Sequence, residues 1–180
     1  FDLHERAEDV AALMQGRARE KGLTLTLRIS EDVPAVVVGD RQKLSQVLLN
    51  LLGNGIKFTD RGTILLTILK IEEPDELALS VEDTGPGIAE RDLEHLFEPF
   101  YQVTEHRRRG QIAGTGLGLA IVRKLVESWD GTVAAEVDRG QGTVIRLQLR
   151  PWTDVERIAD EEDSPNGEPH SGDMGPDDPP

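Results

Sequence analysis

Three stretches of this chain carry residue types suited to holding a flat, multiply charged ligand. The first is "NLLGNGIKF", residues 50 to 58. On a helix turning about 100° per residue, Asn50, Asn54 and Lys57 fall within about 60° of one another. The apolar stripe of the same stretch is centred more than about 100° away. Amides offer neutral oxygens that suit a hard cation such as Mg²⁺, which keeps several waters and is usually held together with phosphate. A lysine one turn further on meets phosphate oxygens as a point charge. A solvated polar face has the same composition, so this stretch alone leaves both readings open. The second stretch is "EDTGPGI", residues 82 to 88. Asp83 ends an alternating run and is a fixed acceptor for an exocyclic amine such as that of adenine. Gly85 and Gly87 let the backbone turn tightly and a flat ligand approach. A plain Gly-Pro-Gly turn is the alternative. The third is "GTGLGLAIV", where Gly114, Thr115, Gly116, Leu117 and Gly118 open an apolar-striped helix. Free backbone N–H groups and the helix dipole make such an entrance a phosphate site. Alternating glycines are a costly way to begin a helix that holds nothing. No Gly-Lys-Ser/Thr follows, so this is not a Walker A loop. Between the second and third stretches, "LFEPFYQVTEHRRRGQIAG" reads as a mobile lid. Arg107, Arg108 and Arg109 could approach phosphates on closure, although an exposed basic loop has the same composition.

The elements that must position these groups follow from periodicity. Leu3, Ala7, Val10, Ala11, Met14 and Ala18 recur at helical spacing over residues 3 to 20, with Asp2 and Glu5 resembling a capping box and Gly22 as a stop. "TLTLRIS" alternates as a strand, with Leu25, Leu27 and Ile29 on one face. "AVVV" after Pro34 reads as a second short strand. Asp40 caps a helix whose buried stripe is Leu44, Val47, Leu48, Leu51 and Leu52. "TILLTILKI" is apolar enough to be a strand covered on both faces, and "PDE" turns it into "LALSVED". A short helix is expected near residues 90 to 95, then a helix over 116 to 129 through Leu117, Ile121, Leu125 and Trp129. "TVAAEV" and "TVIRLQL" form a closing hairpin around "DRGQG". The order predicts an α+β two-layer sandwich: one mixed, mostly antiparallel sheet with helices on one face. It is not a Rossmann fold, because the glycine cluster opens a late helix rather than the first βα turn.

Composition narrows the classes. The chain has 180 residues and no cysteine, which excludes disulfides, thiolate metal sites and a Cys nucleophile. Of the net charge of −14, −9 lies in residues 151 to 180, a Pro-, Gly- and acid-rich tail expected to be a disordered linker. Residues 1 to 150 are the foldable domain. The acidic balance argues against nucleic acid as a partner. No apolar run reaches the roughly 20 residues of a membrane span.

Taken in order, the motifs resemble those of the sensor histidine kinases. "NLLGNGIKF" resembles their N box, "DTGPGI" the G1 box, "LFEPF" the F box, "GTGLGLAIV" the G2 box and "GQGT" the last glycine element. The N and G1 features are shared with the wider ATPase superfamily of type II topoisomerases, MutL and heat-shock chaperones; the F box points to the kinases. The resemblance covers residues 1 to 150 and implies a Bergerat-fold domain that binds ATP with Mg²⁺. It implies Asn54 as the Mg²⁺ ligand and Lys57 near the phosphates. Asp83 would meet the adenine amine, with Gly85 and Gly87 lining the base pocket. Gly114, Gly116 and Gly118 would border the triphosphate, with Thr115 and Leu117 among them, and Thr143 would add a contact at the base. Asn50 stands where the related ATPases place a catalytic glutamate. An amide is no base at neutral pH, so hydrolysis should be slow and transfer to a better nucleophile preferred. Gly55 stands where the family usually has alanine, Ala113 where it often has glycine, and Trp129-Asp130 replaces a small or apolar pair.

The resemblance further implies that the acceptor histidine lies on a separate dimerisation hairpin of the same parent protein. His4, His95, His106 and His170 lack the context of that motif. A response-regulator receiver domain is the expected downstream partner. This segment is expected to be monomeric and cytoplasmic, within a homodimeric parent that is open to anchoring in the inner membrane. A conformational ATPase of the chaperone or topoisomerase kind and a non-catalytic nucleotide-binding module are the alternatives.

Overall fold

The fold comes from a computed structural model that describes residues 1–72, 75–103, 114–138 and 142–150. Helix α1 (Leu3–Glu20) starts where expected, because the Asp2 carboxylate accepts the Glu5 N–H at 2.8 Å. Strand β1 (Leu23–Ile29) follows after Gly22, whose φ of +73° suits a helix stop. Helix α2 (Arg41–Phe58) is capped by Asp40, which accepts the Gln42 and Lys43 N–H groups. Strands β2 (Gly62–Ile71) and β3 (Glu76–Asp83) form an antiparallel pair. A four-residue helix α3 (Glu90–Leu93), helix α4 (Gly118–Glu127) and the antiparallel pair β4 (Thr132–Asp138) and β5 (Gly142–Leu149) complete the order.

The sheet runs β1-β2-β3-β5-β4, parallel only at β1–β2. Its inner face carries Ile64, Leu66, Ile68, Leu79, Val81, Ile145 and Leu147 against Val47, Leu48, Leu51 and Leu52 of α2. The α+β sandwich with a mixed, mostly antiparallel sheet is therefore the observed architecture.

Three local expectations are corrected. "AVVV" is not a strand of the sheet: Val36 makes an isolated bridge to Asp2 and its side chain is 71% exposed. The segment instead staples the start of α1, with Leu3 N–H donating to Ala35 O and Val37 N–H to Phe1 O. Strand β2 is covered on one face only, since Ile64, Leu66 and Ile68 are fully buried while Leu69 is 45% exposed. The fully buried residues of α4 are Val122 and Val126, Leu119 and the expected Leu125 and Trp129 pack half-buried against the same core, and Leu117 precedes the helix. Pro74 of the "PDE" turn, the lid arginines, Ala113, His106 and the tail lie outside the described residues.

Candidate functional site

The motifs converge on one open cleft of about 300 Å³ between α2 and the entrance of α4. From α2 come Asn50, Asn54 and Lys57, all half-buried. From the ends of β3 and β5 come Asp83 and Thr143, which are register partners in adjacent strands. Gly87, Gly114, Thr115, Gly116 and Gly118 complete the expected lining, whereas Gly85 and Leu117 are not part of it.

The glycine entrance and the amide face abut. A methyl carbon at Gly118 would stand 3.5 Å from Asn50 Oδ1 and 3.8 Å from Asn54 Nδ2. One at Gly114 would stand 2.8 Å from Lys57 Nζ. Helix α4 has no side-chain cap from Leu117, whose own N–H reaches Thr115 Oγ1 at 3.4 Å, and the first N–H groups of the helix have no intrahelical partner. Gly116 is fixed by its neighbours: its φ is +70°, and a Cβ would lie 2.6 Å from the Phe100 carbonyl carbon. Phe100, exposed and itself at φ +67°, donates its N–H to Gly116 O at 2.9 Å. The aromatic segment and the glycine loop are thus bound backbone to backbone.

On the sheet side of the cleft, Asp83 Oδ1 accepts the Gly85 N–H at 2.9 Å. Gly85 lies behind the carboxylate: a Cβ there would press to 2.7 Å from Asp83 Oδ1 and 3.2 Å from Thr59 Oγ1. The Thr59 hydroxyl beside it is buried with no hydrogen-bond partner. Burial in the cleft lowers the Lys57 pKa, because taking the ammonium out of water disfavours its charged form. An anion brought beside it reverses that penalty. The Phe58 ring, 4.9 Å from Nζ, supplies a partial counterweight.

Sequence reasoning missed the far wall, built by Ile88, Leu96, Tyr101, Gln102 and Val103. Tyr101 donates its hydroxyl to the buried Asp92 Oδ1 at 2.6 Å, and that bond raises the phenol's pKa. Gln102 Nε2 donates to Gly114 O, tying this wall to the glycine entrance. The cluster of aromatics around Pro99 signalled Tyr101, but nothing in the local pattern marks Asp92 as buried. His4 is committed elsewhere: its Nε2 donates to Val33 O at 3.1 Å, which fixes the tautomer. His95 sits at the surface with Nδ1 2.9 Å from Glu98 Oε1.

A family model described as "Histidine kinase-, DNA gyrase B-, and HSP90-like ATPase" matches residues 39–153. The chain belongs to this ATPase family. Among curated relatives of this ATPase domain, the signal transduction histidine-protein kinase BarA of Escherichia coli K12 is 38% identical over 160 residues. That match covers 84% of this chain and 17% of BarA. The virulence sensor protein BvgS of Bordetella bronchiseptica is 41% identical over 156 residues, covering 84% of the chain and 12% of BvgS. The chain therefore spans less than a fifth of either relative. A crystal structure of full-length ShkA in complex with AMPPNP superposes with a TM-score of 0.75 at 37% identity, covering 85% of this chain and 31% of that one. The catalytic domain of histidine kinase ThkA superposes at 0.70 and 29% identity, covering 83% and 93%. These relatives of the domain are sensor histidine kinases. No helix among the described residues is long and apolar enough to cross a membrane.

Proposed function

We propose that this domain binds MgATP in the cleft and delivers the γ-phosphoryl group to a histidine on a dimerisation hairpin of the same parent protein. One observation carries the reading: the α4 glycine entrance abuts the α2 amides in a cleft that Asp83 and Thr143 also line. A nucleotide with its base at Asp83 and its phosphates at Gly118 would engage all of these groups in one cleft.

Each group then has a task. Asp83 and Thr143 orient the base. Lys57 and the uncapped N–H groups of α4 offset phosphate charge. Among the described residues no group of three or more His, Cys, Asp or Glu could hold a metal by itself. A carboxamide at Asn54 completed by phosphates and water fits Mg²⁺, which seldom takes an all-protein cage. Bound there, the ion would supply charge neutralisation across the phosphates. Asn50 cannot take a proton from water, so the chain positions rather than activates. The nucleophile is the neutral imidazole nitrogen of the acceptor. Its lone pair forms the N–P bond as the β–γ bridging P–O bond breaks and ADP leaves with that electron pair. A response-regulator receiver domain is the next acceptor in this reading.

The test mixes the chain with Mg²⁺, γ-labelled ATP and a histidine-bearing two-helix hairpin, with Asp83→Asn as control. Acid-labile, base-stable label on the hairpin, lost in the control, is expected. Steady phosphate release with no label on the hairpin would instead mark a conformational ATPase.

A further inference from the structure

Lys21 closes α1, far along the chain from every motif above, yet its side chain ends on α2. Its Nζ donates to Ile56 O at 2.8 Å and to Lys57 O at 2.7 Å, and lies 3.9 Å from Asp60 Oδ1. Those carbonyls are in the last turn of α2, where no intrahelical donor remains. The Thr59 N–H takes Gly55 O, and Lys21 takes the next two. A cation there also meets the negative end of the helix dipole.

Lys57 points the other way from this grip. Its carbonyl is held by Lys21, while its ammonium reaches the glycine entrance at Gly114. We infer that Lys21 is a positioning residue for Lys57: by holding the carbonyls of residues 56 and 57 it sets the direction from which the Lys57 ammonium meets phosphate. The inference rests on the reading of Lys57 as the phosphate cation. The base end of the cleft does not depend on the same grip. There, α2 meets β2 and β3 through Gly55, against Ile64 and Asp83, and Gly55 O is already held by Thr59. Nor is Lys21 needed to hold α1 in place, because Leu3, Ala7, Val10, Met14 and Ala18 are buried in the shared core.

The test compares Lys21→Met, Lys57→Met and the double variant in the full chain. The probes are a non-hydrolysable ATP analogue with Mg²⁺, and adenosine, each titrated calorimetrically. Lys21→Met should weaken analogue binding roughly fivefold and change adenosine binding less than about twofold, with Lys21→Arg restoring most of the loss. The double variant should bind the analogue no more weakly than Lys57→Met alone. Parallel loss for both probes would reduce Lys21 to a fold staple and overturn the inference. So would losses that multiply in the double variant, or a silent Lys21→Met beside a weakened Lys57→Met. If Lys57→Met is itself silent, the phosphate reading of Lys57 is what fails. Should Lys21→Met not fold, Lys21→Gln, which keeps one donor group but not the charge, should show a smaller loss in the same direction, with analogue binding weakened more than adenosine binding, and equal loss of both would overturn the inference.

Discussion

Gly55 offers a sharp test of how the site helix is built. It lies inside α2 between Asn54 and Lys57, in an ordinary helical conformation, and is buried. A methyl there would meet Ile64 Cγ2 at 3.5 Å, Ile64 Cγ1 at 3.6 Å and Asp83 Cβ at 3.7 Å, all ordinary van der Waals contacts. Gly55→Ala should therefore collect the helix-propensity gain of about 1 kcal/mol, plus a few tenths from packing one partly accommodated methyl group. For a domain of this size that is a rise in Tm of about 2–5 °C. Urea unfolding with an unchanged m-value checks it, and nucleotide affinity should hold within about twofold because, although Gly55 lines the cleft, the methyl meets Ile64 and Asp83 Cβ at ordinary contact distance. The matched control is Gly142→Ala, whose methyl would fall 1.7 Å from Asp83 O at a φ of +109°. That variant should lose about 2–5 kcal/mol, since the Asp83 backbone must shift. A Gly55→Ala chain that melts lower than its parent would refute the contact geometry between α2 and β3.

Other outcomes follow from the same geometry. Asn54→Ala should weaken binding of the ATP analogue about tenfold with Mg²⁺ present and leave binding in chelator nearly unchanged, by calorimetry. Tyr101→Phe should lower Tm by a few degrees, because Asp92 loses its hydroxyl donor and keeps only the longer Arg91 ion pair, 3.8 Å from its other oxygen; an unchanged melt would show that this bond is idle. The Glu98 hydrogen bond, then its charge, raises the His95 pKa above its ordinary 6.5. The sign of the linkage is that its small, salt-screened stabilisation is complete below pH 6.5 and fades as pH climbs through the raised value. NMR titration should find that pKa elevated in the parent and returned toward 6.5 in Glu98→Gln.

The helices were legible because local signals sufficed. Asp2 and Asp40 mark the starts of α1 and α2, and the stripe of α2 leaves Asn50, Asn54 and Lys57 on their own face. The sheet was legible in content but not in its coverage. Strand β2 is as apolar as a two-sided strand, yet Leu65 and Leu69 face outward beside Thr26, Ala78 and Glu82, a pairing set by register and invisible in the run itself. "AVVV" failed for a related reason, since its bonds go to the first residues of the chain rather than to a neighbouring strand. Within the site, glycines that admit a ligand and glycines that admit backbone look alike in sequence. Gly118 faces the amides, whereas Gly116 makes room for Phe100 and Gly142 for Asp83. The Tyr101–Asp92 wall depends on a contact across nine residues of turns that no period encodes.

In the proposed complex one nucleotide spans the cleft from Asp83 to the amides of α2. Titrating ¹⁵N-labelled chain with AMPPNP and Mg²⁺ tests it most directly. The side-chain amides of Asn50 and Asn54 and the backbone amides of Gly85, Gly116 and Gly118 should shift together along one binding isotherm. Shifts around Asp83 with the α2 amides unmoved, or two separate affinities for the two ends, would contradict it.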